Sequence, residues 1–69
     1  MTLQKIRKLI RTRQEDISRL NVACIAFKAD HSEASGVLYA VSLAEVRSLE
    51  RDVEILELMV ELEEEKFKP

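Results

Sequence analysis

The chain has 69 residues, 46% apolar and 35% charged, with one glycine, one proline, one tyrosine and two phenylalanines. That composition suits long helices and excludes a β-sandwich or a disordered tail. Cys24 is the sole cysteine, so no disulfide can form within the chain, and the longest uncharged run, Ala34 to Ala44, falls short of the roughly 20 residues that span a bilayer. With no apolar signal-peptide core at its start, the chain is expected to be cytosolic.

The net charge of −2 conceals a division. Residues 1–29 carry seven basic and two acidic side chains, whereas residues 30–69 carry four basic and eleven acidic ones, so +5 stands against −7. The two halves are electrostatically complementary.

The first half carries one apolar seam. Leu3, Ile6, Ile10, Arg13, Ile17, Leu20, Cys24 and Phe27 recur at alternating spacings of three and four, the repeat of a coiled coil, with Arg13 its single polar member. A helix is expected from about residue 2, with Thr2 as N-cap, to about residue 29. Polar, turn-forming residues follow from Asp30 to Gly36. Asp30 with Glu33 offers a capping box for a second helix, and Ser32 offers an alternative cap. Ser42 with Glu45 is a third candidate start, which would leave residues 37–41 in a connector. A continuous helix from about 33 to 67, after a turn at about 30–35, is preferred, because a structureless connector of about a dozen residues is uncommon in compact domains.

The second helix carries its own seam through Val46, Leu49, Val53, Leu56 and Val60. It is more apolar than a two-helix hairpin requires. Between Val53 and Leu62 only Glu54, Glu57 and Glu61 are polar, so the apolar face is wide enough for two neighbours. Val53, Ile55, Leu58, Met59 and Leu62 are therefore the expected oligomer interface. Small residues Gly36, Ala40 and Ala44 lie four apart, opposite Ala23, Ala26 and Ala29 in a hairpin, and could permit close approach; alanine's helix propensity is the plainer explanation.

Charge gives the orientation. Lys5, Arg7 and Lys8 begin one helix and Glu61, Glu63, Glu64 and Glu65 end the other, each the wrong sign for the helix dipole. An antiparallel hairpin brings the two clusters together, although any one exposed pair contributes only about 0–1 kcal/mol.

No residue pattern points to catalysis, and neither a metal nor a cofactor is expected. Cys24 lies on the seam with no neighbouring base to activate it, and His31 sits alone in the turn. The carboxylates at 54, 57, 61 and 64 form a solvated stripe rather than a cation site. Arg13 reads as a residue that fixes register by pairing with a carboxylate such as Glu57; an anion site is the alternative. Lys5, Arg7, Lys8, Arg11 and Arg13 form the one basic patch, a candidate for anion or nucleic-acid binding that the acidic sequence pI of about 5.4 and the acidic cluster in the same chain oppose. A membrane-surface role is not expected.

In size and patterning the chain resembles the Rop-type helical hairpins that dimerise into four-helix bundles, a likeness of architecture that implies no activity. The fold expected is all-α: an antiparallel, coiled-coil-like hairpin assembling into a four-helix bundle or larger helical oligomer. Below roughly 70–80 residues a single core supplies only about 3–5 kcal/mol, and oligomerisation is the usual supplement where disulfides and zinc are missing. The expected function is that of a small non-enzymatic interaction or regulatory protein whose partners are itself and a protein it binds or sequesters. A nucleic-acid-binding bundle and a small-anion or nucleotide-binding oligomer are the alternatives.

Overall fold

The computed structural model describes residues 2–66. Two helices, α1 over Leu3–Ala29 and α2 over Glu33–Glu65, fold back on each other through Asp30, His31 and Ser32. The result is a rod of 57 × 15 × 14 Å. At 1.5 Å per residue α2 is about 50 Å long and runs nearly the full length of the rod, whereas α1 is about 40 Å.

Each helix begins at a side-chain cap. Thr2 is extended, its hydroxyl accepts from the Lys5 N–H at 3.3 Å, and its carbonyl accepts from the Ile6 N–H at 3.1 Å. Ser32 repeats the device, accepting from the Ser35 N–H at 3.2 Å. The cap of α2 is thus Ser32, and the capping box from Asp30 is not used. Asp30 instead ends α1, its N–H donating to the Ala26 carbonyl at 3.3 Å. Its carboxylate accepts from the Ser32 N–H at 3.2 Å, the Ser32 hydroxyl at 3.3 Å and the Ser35 hydroxyl at 2.6 Å. These hydrogen bonds hold the Asp30 carboxyl below the ordinary carboxylate value, the Ser35 bond contributing most. Because helix continues unbroken through residues 37–42, Ser42 starts nothing.

The core is a single file along the rod. Ile6 and Cys24 are buried from α1, and Val46, Leu49 and Val53 from α2. Leu3, Ile10, Arg13, Ile17, Leu20 and Phe27 are half-buried on α1, as the alternating repeat requires. On α2 the buried and half-buried positions extend the same alternation beyond its aliphatic stretch: Ser35, Tyr39 and Ser42 precede Val46, and Glu63 follows Val60. The small-residue stripe makes no close approach. Gly36, Ala40 and Ala44 are exposed, and a Cβ built on Gly36 would meet nothing within 4 Å. Helix propensity accounts for those alanines.

Candidate interaction face

Helical geometry gives α2 a second row. Leu38, Val41, Glu45, Ser48, Asp52, Ile55, Met59 and Leu62 alternate at three and four like the seam, but lie about 100° around the helix from it. The row's apolar members are solvent-facing in the single chain: Val41 is 63% exposed, Ile55 52% and Leu62 61%. Leu58 and Val37 flank the row and are exposed as well. Within a two-helix hairpin, a second apolar row on a helix whose first row already faces its partner has no neighbour to pack against.

Of the residues expected at an oligomer interface, Ile55, Leu58, Met59 and Leu62 gather on this outward side. Val53 does not. It is buried in the seam of the hairpin itself. Exposed Val37, Leu38 and Val41 add a second apolar cluster near the turn, and Val22 and Ile25 expose a third, on α1. These were not singled out from the sequence as exposed, because an isolated valine or isoleucine at helical spacing reads equally well as core.

α1 contributes to the same side of the rod as the second row. One groove between the helices is lined by Leu9, Arg13, Asp52, Ile55 and Leu56, and another by Arg13, Asp16, Arg19, Leu20, Glu45 and Leu49. The face is therefore divided into an apolar end near the turn, a charged belt at mid-length and an apolar end near the chain termini. Arg13 lies in the belt and touches both grooves. Its Nε is buried with no hydrogen-bond partner among the described residues. The expected pairing with Glu57 is not formed: the carboxylates that share Arg13's grooves are Asp16, Glu45 and Asp52, because the register of the hairpin brings residue 52 rather than 57 alongside residue 13. Arg19 is held loosely within α1, at 3.8 Å from both Glu15 and Asp16.

The basic residues of α1 do not form one surface. Arg7, Lys8 and Arg11 line a shallow hollow with Leu3 and Gln4, Lys5 and Lys8 border a second with Leu9 and Thr12, and Arg13 lies on the groove side. Arg7 is also engaged, donating to Glu64 Oε1 at 2.6 Å across the open end. That bond joins the basic start of α1 to the acidic end of α2. On the acidic side, Glu63 pairs with Lys66 at 2.8 Å, and this hydrogen bond lowers the Glu63 carboxyl below its ordinary value.

Among the described residues no group of three or more His, Cys, Asp or Glu side chains is placed to hold a metal ion, and no helix is long and apolar enough to cross a membrane. Cys24 is a buried free thiol. No protein-family model, curated protein or solved structure matches the chain.

Proposed function

We propose that the chain is a small non-enzymatic interaction protein that works as a helical-bundle oligomer and binds or sequesters a protein partner. The observation that carries this reading is the second apolar row on α2, exposed through Ile55, Leu58, Met59 and Leu62 on a helix whose seam is already occupied by α1. The thin core adds support, since a two-helix hairpin of this length buries too little on its own to be robust. A four-helix bundle covers such a row and thickens the core in one step.

The test is sedimentation of the purified protein at micromolar concentration, with Leu58→Glu/Met59→Glu beside it. The wild type is expected as an oligomer, and the double variant as a lighter species with a lower melting temperature. A wild type that sediments as one stable chain and retains no partner overturns the reading.

A second reading rests on the hollow that gathers Arg7, Lys8 and Arg11. Three cations together are the footprint of a phosphate-binding surface, and binding through them would weaken steeply with added salt. It ranks second because Glu64 already occupies Arg7. Submicromolar, salt-sensitive binding of RNA or DNA that Arg7→Ala/Arg11→Ala abolishes in a folded protein would reverse the order.

A further inference from the structure

The charged belt across the groove side selects how two copies would pair. Two hairpins packed face to face can be related by a two-fold axis along the rod, which keeps both turns at one end, or by an axis across it, which puts the turns at opposite ends. Apolar matching does not separate them. With the turns together, Ala23 and Ala26 of one α1 stand at the level of Leu38 and Val41 of the other α2, and Leu9 at the level of Ile55 and Met59. With the turns apart, Leu38 and Val41 of one α2 meet Met59 and Leu62 of the other. Both arrangements cover the exposed row.

Charge separates them. The levels follow from the grooves, which set Arg13 beside Asp52 and place Leu20 with Glu45 and Leu49. With the turns apart, α2 faces α2 and α1 faces α1. Glu45 then meets Asp52, Arg13 meets Arg19, and Asp16 meets its own symmetry mate, so like charges face one another through the middle of the interface. With the turns together, α1 of each chain faces α2 of the other. Arg19 then stands opposite Glu45, and Arg13, whose Nε lacks a hydrogen-bond partner among the described residues, stands opposite Asp52. Like-charge juxtaposition is a strong discriminator between otherwise equivalent dockings.

We propose that the partner on this face is a second copy of the chain, docked with both turns at the same end, so that Arg13 and Arg19 of each α1 face Asp52 and Glu45 of the other α2. This rests on the oligomeric reading above and specifies its symmetry. The belt acts as a registry device: polar residues inside a bundle interface exclude the alternative pairing at some cost in stability.

The experiment is a distance measurement on the full chain. A nitroxide is placed on the turn through His31→Cys in a Cys24→Ala background, with sedimentation on the same sample. Turns together predict inter-label distances below about 30 Å, two to three helix diameters; turns apart predict separations approaching the 57 Å length of the rod. A dimer with the long distance overturns this proposal and leaves the oligomeric reading intact, whereas a monomer overturns both. A second pair of variants answers without labels. Glu45→Arg is expected to weaken the dimer about tenfold by facing Arg19, and Arg19→Glu/Glu45→Arg to restore it. If Glu45→Arg tightens the dimer instead, Asp52 is its neighbour and the turns lie apart.

Discussion

The two ends of the rod are held by different physics. At the turn, hydrogen bonds within six residues do the work: Asp30 closes α1 by its N–H and receives Ser32 and Ser35 on its carboxylate. The seam there mixes small and polar side chains, Ser35, Ser42 and Cys24, with the half-buried aromatics Phe27 and Tyr39. At the open end the two helices are joined only over long sequence distances, by aliphatic packing around Ile6, 1% exposed, and by the Arg7–Glu64 pair between residues 57 apart in sequence. Directional bonds fix a geometry with little buried area, whereas packing stabilises through area but specifies geometry only when registered by something else. Here the turn supplies the registration, and the Arg7–Glu64 pair forms at the far end of the register it sets.

The largest effect is expected from the open end. Ile6→Ala removes the most buried side chain and should lower the unfolding free energy by about 2–4 kcal/mol in urea titration. A loss below about 1 kcal/mol would mean that the open end is frayed in solution. At the turn, Ser35→Ala removes the donor of the shortest Asp30 bond and should cost about 1 kcal/mol. The same site has a pH signature. Since the folded Asp30 carboxyl titrates below its unfolded value, its contribution is fully present above about pH 4 and is lost as the pH falls through the lower folded value. Asp30→Asn should flatten the stability profile in that acid window and leave neutral-pH dependence unaltered; identical acid profiles would show that the carboxylate is not held as described.

Gly36→Ala sharpens the comparison from the opposite direction. Its backbone is helical and a Cβ meets nothing within 4 Å, so the substitution should stabilise by about 0.5–1 kcal/mol in the same titration. Destabilisation would reveal a close neighbour at the turn end, as a tightly docked second chain would provide. The smallest effect belongs to Arg7 and Glu64, whose side chains are 59% and 46% exposed. A double-mutant cycle should return a coupling of about 0–1 kcal/mol that fades with added salt. Its value is directional, because any favourable coupling between residues 7 and 64 requires an antiparallel hairpin.

The two seams were legible because a side-chain period of three and four has few other physical causes, and the positions from Val46 to Val60 are buried or half-buried at that spacing. The basic and acidic clusters gave the helix orientation for a similar reason, each being unfavourable on its own helix. Ser35 and Ser42 do not read as seam positions from the sequence, where Ser42 suggests a helix start instead. A serine on a seam looks like a surface residue until the register places it inside. Arg13's surroundings were illegible for a different reason: whether residue 52 or 57 stands beside it depends on how far the turn offsets the helices, a property of three residues and not of the repeat. Gly36, Ala40 and Ala44 suit both close packing and helix propensity, so composition alone could not separate the two. The second apolar row could be read as a need for another neighbour, while the carboxylates that interrupt it, and the α1 arginines beside them, gain meaning only because both helices share one side.

The three-residue turn also sets the order in which this molecule can assemble. Sequence separation across the hairpin grows from 5 at the Asp30–Ser35 bond to 57 at the Arg7–Glu64 pair, so loop-closure entropy rises steadily along the rod. Closure starts most cheaply at the turn and runs outward like a zip, with the ion pair as its last tooth. In folding kinetics, Ser35→Ala should then slow folding, whereas Ile6→Ala should chiefly hasten unfolding, and a chevron plot of each variant shows which arm has moved. Equal displacement of the folding arm by both variants would place the nucleus along the whole seam instead.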